Sequence, residues 1–202
     1  MRGLRPLLDL PPVHIDVRGS FVSSFHIRAA QPGDVEDVFA LVRALAEYEK
    51  LAHQVSGTGE QLREELFGPR PVVECVVARE GTSGAEGAAL GFALFFHNYS
   101  TFLARRGVYL EDLFVVPQAR GRGIGRALIA HVANVAVQRD CGRFEWAVLD
   151  WNRPAIAFYE SLGATVMPDW RVCRLGGAAL QALASGAVSG DAVPGCATNA
   201  AT

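Results

Sequence analysis

The sequence of 202 residues is poor in several features that mark particular classes of protein. Lys50 is the only lysine among 19 basic residues, a bias that reflects genomic composition, and the formal net charge is −2. The chain therefore lacks the strongly basic balance that nucleic-acid binding as a main task would favour. No apolar run is long enough to span a bilayer. We expect neither nucleic acid nor membrane among its partners.

Patterns typical of metal sites and disulfides are missing as well. The four cysteines are Cys75, Cys141, Cys173 and Cys196, and no two of them form a C-x-x-C pair. This spacing predicts reduced thiols in a cytoplasmic protein. The five histidines do not cluster with cysteines or acids along the chain, so the sequence predicts no metal site.

The two ends of the chain differ in composition from the middle. Residues 1–24 are broken by Pro11 and Pro12, which predicts an N-terminal extension that is disordered or lies over the domain surface. Residues 185–202 are mostly Ala, Gly, Ser and Thr with almost nothing to bury, which predicts a disordered tail. Residues 25–184 show regular periodicity, and their length predicts one domain.

Within that domain, strand and helix spacings predict the order β-α-α-β-β-β-α-β-α-β-β, an α/β fold with a mixed sheet. Strands are predicted at residues 25–28, 72–78, 90–97, 110–116, 144–149, 164–167 and 170–175. Helices are predicted from 34 to about 50, at 58–67, from the glycines at 121–125 to about 140, and at 155–162, with a last helical turn at 177–184.

The most informative stretch is residues 109–130, in which an apolar strand ends at Pro117, a polar turn follows, and a helix opens through three glycines. Glycine allows unusual backbone angles and the close approach of a ligand. The first turn of a helix leaves N–H groups without intrahelical partners and favours negative charge. With Arg120, Arg122 and Arg126 beside those amides, this stretch predicts a site for a di- or triphosphate.

The spacing within this turn narrows the choice of ligand. The turn lacks the Lys-Ser/Thr of an ATP-binding loop, and Arg126 stands where a dinucleotide fingerprint has its third glycine. The run Arg120-Gly121-Arg122-Gly123-Ile124-Gly125 does fit the pattern [R/Q]-x-x-G-x-G. Here the chain resembles the GNAT superfamily of N-acetyltransferases, over about residues 25–183. A nucleotide-binding protein and an ordinary strand-to-helix connection are the alternatives at this point.

The resemblance implies a mostly antiparallel, twisted sheet flanked by helices, and acetyl-CoA as the co-substrate whose pyrophosphate the turn holds. Residues 152–164, N-R-P-A-I-A-F-Y-E-S-L-G-A, extend it. In similar families a tyrosine placed like Tyr159 protonates the CoA sulfur, which suits a phenol because its pKa of about 10 exceeds that of a thiol, about 8.5. The alternative for Tyr159 is packing alone. Outside the turn, the expected cofactor contacts are Leu113, Phe114, Val115, Asn152, Pro154 and Ala155.

The segment Tyr109-Leu110-Glu111-Asp112 resembles the diamine and thialysine acetyltransferase branch, in which this glutamate faces the substrate amine. Strand alternation predicts that Glu111 and Asp112 point to opposite faces of the sheet. A carboxylate with a pKa of about 4.3 is a weak base toward an ammonium, so Glu111 would act through ordered water or by binding the cation. Its alternative role is a structural ion pair. The strand is expected to bulge near residues 113–115 and to offer an amide to the thioester oxygen.

The end of the first helix indicates which amine is acetylated. Tyr48 and Glu49 resemble residues that line the amine pocket of the same branch, and an acidic wall suits a cation. Residues 99–102 contain no acid, unlike polyamine enzymes, which favours a small diamine or a lysine-like amino acid. The resemblance also implies a homodimer. We predict an N-acetyltransferase for small cationic amines; the alternative is a non-catalytic acyl-CoA-binding regulatory module on the same fold.

Overall fold

A computed structural model describes residues 25–82 and 87–187. Their contacts divide into two compact units, the first ending at Val148 and the second beginning at Leu149. The predicted extension at 1–24 and most of the predicted tail at 185–202 lie outside the described residues, and the domain bounds 25–184 stay a prediction. Within the two described ranges, no helix combines the length and the apolar character needed to cross a bilayer.

The first unit is built on a five-stranded sheet whose strands lie side by side in chain order. Strands β1 to β4 pair antiparallel and β5 pairs parallel to β4, which confirms the mixed, mostly antiparallel sheet. The strands are β1 Phe25–Ala29, β2 Glu74–Glu80, β3 Ala89–Ser100, β4 Arg105–Val115 and β5 Phe144–Trp146. The helices of this unit are α1 Val35–Tyr48, α2 Gly59–Phe67 and α3 Ile124–Gln138, and those of the second unit are α4 Arg153–Glu160 and α5 Gly177–Ala184.

The two strands predicted at 164–167 and 170–175 are wrong, because the structure has no strand in either range. The side chains of Trp170 and Val172 are instead 73% and 77% exposed. A strand forms only where a neighbour satisfies its backbone N–H and C=O groups, and alternation in the sequence does not supply that neighbour. β5 is also shorter than predicted and ends at Trp146.

One face of the sheet packs against α1 and α2. Val77, Phe92 and Phe114 are register partners on neighbouring strands and therefore share a face. They are buried in one cluster with Val38 and Leu41 of α1. Full burial of side chains of this kind contributes about 1.5–3 kcal/mol each to folding. The cluster fixes α1 across β3 and β4.

The opposite face packs against α3. Phe95 and its register partner Glu74 point away from the first cluster, and Glu74 forms an ion pair of 2.5 Å with Arg139 at the end of α3. The apolar residues at helical spacing along α3 are all buried: Ile124, Leu128, Ile129, Val132 and Val135. His131 is buried beside them, and neither of its ring nitrogens has a hydrogen-bond partner among the described residues. Burial lowers the pKa of His131, which favours the neutral imidazole.

Asp34, at the start of α1, is the centre of a buried ion-pair network. Its carboxylate lies 2.6 Å from Arg28 of β1 and accepts a hydrogen bond from Arg79 of β2. Arg79 also lies 2.7 Å from Asp37. Burial alone raises the pKa of Asp34, but hydrogen bonds from Arg28, the Gln31 backbone and Arg79 bring it down to about 2. The network joins two strands to the first turn of α1.

We expect the substitution Asp34→Asn to lower the free energy of unfolding by about 3 kcal/mol at neutral pH, because two arginines in a partly buried site lose their charged partner. Urea unfolding measures this change. The matched control is Asp37→Asn, which removes a carboxylate that is 51% exposed and is expected to cost less than about 1 kcal/mol. Equal costs for the two variants would contradict the central role of Asp34.

The same network predicts a pH dependence. The folded-state pKa of Asp34 lies below its ordinary value of 3.8, so its contribution to stability is complete above that value. It is lost as the pH falls through the folded-state value of about 2. The Asp34→Asn variant should lack this part of the acid sensitivity.

Candidate active site

Strand β4 is longer than the stretch that pairs with its parallel neighbour β5. Beyond that stretch, the edge of β4 on the β5 side is not part of the β4–β5 ladder. The ladder pairs residues 108–110 with 144–146, whereas β4 extends to Val115. On its other edge, Leu113, Phe114 and Val115 stay paired with β3. Pantetheine carries amides that can pair with an open strand edge. The cofactor contacts predicted for residues 113–115 would therefore be made along the β5-side edge of residues 111–115.

The ladder between β3 and β4 contains a bulge at Glu111. Leu94 pairs with Asp112 and Phe95 pairs with Leu110, so Glu111 is the extra residue of β4 in this ladder. The bulge lies earlier in the strand than the predicted position at 113–115, where pairing is regular. A bulge interrupts alternation and re-aims side chains. Leu110 and Asp112, although two residues apart, therefore lie on opposite faces of the sheet, and the opposite orientation of Glu111 and Asp112 stays a prediction.

Asp112 lies on the sheet face that α1 covers, because its register partner Leu94 belongs to that core. Burial, together with the nearby carboxylates of Glu111 and Glu49, raises the pKa of Asp112 to about 6. Burial also raises the pKa of Glu49, at the C-terminal end of α1. Glu111 and Glu49 therefore both act on the carboxyl of Asp112, and a bound cation would be favoured there. We call these three residues the acidic cluster.

Asp112 is the residue that sequence reasoning missed. Two adjacent acids in an otherwise apolar strand are visible in the sequence, but the family resemblance implies a role toward the amine for Glu111 alone. Glu111 is exposed, whereas Asp112 is half-buried. Only the bulge explains how both can affect the same site, and a bulge leaves no reliable mark on one sequence.

After β4, the chain passes through a 3-10 turn, Pro117–Ala119, and two glycines with left-handed backbone. Gly121 has a φ of 77°, and Gly123, the N-cap of α3, has a φ of 82°. A Cβ atom at either position would meet no atom within 4 Å. Ile124 is buried behind the turn, and Gly125 follows in the first turn of the helix. The start of α3 thus faces open space with amides that lack intrahelical partners, which fits a phosphate group.

Two arginines of this turn differ in their surroundings. Arg122 is half-buried and lies 3.6 Å from Glu80 at the end of β2. Arg126 is exposed on the first turns of α3. Both positive charges remain close to the helix start in sequence, where an anionic group would be favoured.

The side chain of Arg120 extends across the end of β4 toward α1. Its Nε donates a hydrogen bond of 3.0 Å to the carbonyl oxygen of Val115. Its guanidinium carbon lies 4.7 Å from the centre of the Tyr48 ring and 5.6 Å from that of Phe114. These distances are typical of cation–π contacts. The structure thereby brings together Tyr48 of the predicted amine pocket and the first arginine of the predicted phosphate turn.

The second unit holds the remaining predicted residues. Asn152 is buried and caps α4, its Oδ1 accepting a hydrogen bond of 3.3 Å from the backbone N–H of Ala155. Pro154 lies in the first turn of the helix. Tyr159 is half-buried, and its ring centre lies 5.3 Å from that of Phe158. The roles of these residues toward a cofactor stay predictions.

Metal chemistry has no ready set of ligands in the described part of the chain. Residues 25–82 and 87–187 contain no group of three or more His, Cys, Asp or Glu side chains placed to hold an ion. Cys75, Cys141 and Cys173 are free thiols.

Comparisons of the sequence and the fold with known proteins point to one family. Residues 40–164 match the Acetyltransferase (GNAT) family. The chain is 41% identical to thialysine N-epsilon-acetyltransferase of Mus musculus, over 81% of this chain and 99% of that protein. It is 34% identical to L-ornithine N5-acetyltransferase NATA1 of Arabidopsis thaliana, over 78% of this chain and 86% of that protein. A solved integron cassette protein from the mobile metagenome of V. cholerae is similar in fold, with a TM-score of 0.66 and 27% identity, over 81% of this chain and 99% of that one.

The raised pKa of Asp112 predicts that its charge destabilises the fold. We expect Asp112→Asn to increase the free energy of unfolding at pH 8 by up to about 3 kcal/mol, at about 1.4 kcal/mol for each pH unit by which the pKa exceeds its ordinary value. The gain should shrink as the pH falls from about 6 toward 3.8, because the wild-type carboxyl becomes protonated in the folded state.

Urea unfolding at pH 8 and pH 5 measures the difference, and Glu111→Gln, at the exposed neighbour, is the control with an expected change below about 1 kcal/mol. A clear loss of stability in Asp112→Asn at pH 8 would show that the charged carboxylate has a stabilising partner.

Proposed function

Because the chain belongs to the GNAT family of acetyltransferases, we propose that it transfers the acetyl group of acetyl-CoA to a primary amine of a small cationic substrate. The acidic cluster of Glu49, Glu111 and Asp112 is the observation that carries the choice of acceptor, since three carboxyls favour a bound ammonium. The open glycine turn at the start of α3 supports the choice of donor, because its amides fit the diphosphate of CoA.

The reaction sets three demands on the protein. The amine nitrogen attacks the thioester carbon, so a C–N bond forms, the C–S bond breaks, the nitrogen loses a proton and the sulfur gains one. Tyr159 is proposed to give its phenolic proton to the departing sulfur. Glu111 is proposed to take the amine proton through an ordered water, since its carboxylate is a weak base. A backbone amide of residues 113–115 would stabilise the charge on the thioester oxygen.

Binding of the two substrates would use separate parts of the chain. The backbone of the turn from Arg120 to Arg126, with the side chains of Arg122 and Arg126, is proposed to hold the CoA pyrophosphate. The β4 edge at 113–115 is proposed to pair with pantetheine. Asn152, Pro154 and Ala155 are proposed as further contacts to CoA. Tyr48 and the acidic cluster are proposed to bind the amine.

The acceptor is proposed to be an amino acid with a side-chain amine, or a small diamine. Two similar proteins are named for thialysine and for L-ornithine, which supports this class. Asp112 and Glu49 can hold one charged group of such a substrate while another amine is acetylated. Long polyamines are less favoured, since Tyr99-Ser100-Thr101-Phe102 at the tip of the β3–β4 hairpin contains no acid.

We propose that the active protein is a homodimer in the cytoplasm. Apolar side chains of the second unit, among them Trp170, Val172 and Leu183, are largely exposed, which supports a partner surface there. The three free thiols support a reducing compartment. Sedimentation equilibrium of the full chain tests the dimer, and a monomer at micromolar concentration would contradict it.

A panel of amines, with CoA thiol release as the readout, tests the function. We expect thiol release only when acetyl-CoA and a suitable amine are both present, with lysine-like amino acids and short diamines turned over best. CoA binding without turnover of any amine would favour the non-catalytic acyl-CoA-binding module instead.

Gly123→Ala tests the phosphate site. The left-handed backbone at this glycine predicts a cost in stability of about 1 kcal/mol, and the added methyl would occupy the space in which a phosphate would lie. We expect the Kd of CoA, measured by calorimetry, to rise about tenfold or more, which is the loss of one good charge-assisted contact.

Gly163→Ala is the matched control for this change. Gly163 has a φ of 89° and likewise no atom within 4 Å of a Cβ, so the conformational cost should be similar. CoA affinity should stay within about twofold of wild type in this control. Equal losses of CoA affinity in the two variants would remove the turn from the binding site.

Tyr159→Phe tests the proposed acid. We expect kcat to fall by a factor of about 100 or more, the usual loss when a general acid is removed, with the Kd of CoA little changed. Tyr99→Phe, at a tyrosine that is 57% exposed, is the control and should keep wild-type kcat. A loss of less than about twofold in Tyr159→Phe would exclude this phenol from the chemistry.

A further inference from the structure

Arg120 belongs to the glycine turn by sequence, but its observed side-chain contacts are with the end of α1 and the end of β4. The chain is extended at this residue, between the 3-10 turn that follows β4 and Gly121. From there the guanidinium reaches the ring of Tyr48 at the last residue of α1 and the ring of Phe114 in β4. One side chain thus contacts the end of α1 and the end of β4 while its backbone forms part of the turn.

The geometry of these contacts restrains the side chain on several sides. A guanidinium near two aromatic rings is favoured by both ring quadrupoles. The hydrogen bond from Nε to the Val115 carbonyl, 3.0 Å long, fixes the plane of the group relative to β4. A lysine could supply the charge but neither the planar group nor this Nε–H. The arrangement therefore depends on arginine in particular.

We propose that Arg120 is a positioning residue that holds Tyr48 and the end of α1 in register with the glycine turn. Its role is then to act on the amine through Tyr48, next to Glu49 of the acidic cluster, more than on the phosphates of CoA. Because CoA bound at the turn would restrain the Arg120 backbone, CoA should tighten amine binding, and by linkage the amine should tighten CoA binding to the same extent. This inference rests on the proposed function.

The test measures both substrates in the full-length protein. Calorimetry with CoA, which has no acetyl group to transfer, gives its Kd with and without a saturating amine from the panel, and steady-state assays give the KM of the amine. For wild type we expect the amine to lower the Kd of CoA by about fivefold or more. For Arg120→Met we expect that effect to vanish, the amine KM to rise about tenfold, and the Kd of CoA alone to change less than about threefold.

Variants of the ring partner and of a neighbouring arginine separate positioning from phosphate binding. Tyr48→Leu should reproduce the effects of Arg120→Met, and the double variant should be no worse than either single one, because both remove the same contact. Tyr48→Phe keeps the ring and should keep most of the coupling. Arg126→Met should show the opposite pattern, with weaker CoA binding and an unchanged amine KM.

Two results would overturn the inference alone: an amine KM unchanged in Arg120→Met, or losses in the double variant that add. Should Arg120→Met fail to fold, as judged by thermal unfolding, Arg120→Lys takes its place. It keeps the charge but loses the planar contact, and it must still show a raised amine KM and a weakened coupling. A wild-type protein that neither binds CoA nor acetylates any amine would overturn the proposed function as well.

Discussion

The pairing of β4 is the constraint from which the rest of the site follows. Among the described residues, the strand is paired on both edges from Val108 to Leu110 and with β3 alone from there to Val115, apart from the bulge. The stretch paired on both edges anchors the strand in the sheet. The stretch that follows has one edge outside the β4–β5 ladder and leads toward the glycine turn. The same strand contributes Phe114 to the core under α1 and Asp112 to the acidic cluster. The proposed binding surface and the core therefore lie on different faces and edges of one strand.

Much of this arrangement was predictable from local sequence. The buried positions of α3 follow from helical spacing, and the left-handed glycines follow from the run of glycines after an apolar strand. Asn152 was predictable as a helix cap because its side chain suits the position before Pro154. These features depend on neighbours within a few residues, so one sequence is enough to find them.

The features that could not be predicted depend on distant partners. The bulge at Glu111 exists only relative to β3, and it decides how Asp112 is buried. Residues 164–175 have the spacing of strands but no strand to pair with in the described chain. The contact of Arg120 with Tyr48 joins positions far apart in sequence, and arginine in that turn was more readily assigned to a phosphate. Local periodicity carries no information on such contacts.

The charges of two partly buried carboxylates, Asp34 and Asp112, have opposite effects on the stability of the fold. Asp34 is surrounded by arginines, and its low pKa reports a carboxylate that stabilises the fold. Asp112 is desolvated by burial and has acids for neighbours, and its raised pKa indicates a carboxylate held at a cost to the fold. Free energy supplied by the first arrangement offsets the second, a division common where a binding site requires unfavourable local charge.

The bulge also bears on how this strand could change by insertion or deletion of single residues. Leu110 and Asp112 already occupy consecutive positions opposite β3, so a chain without Glu111 could keep the same ladder with regular pairing. The apolar side chains on both faces of the sheet would keep the same register partners. Regular pairing with β3 therefore does not depend on this extra residue, which agrees with the proposed role of its carboxylate toward the amine. If Glu111 acts as proposed, a chain shortened there would be a folded relative that lacks the base for the amine.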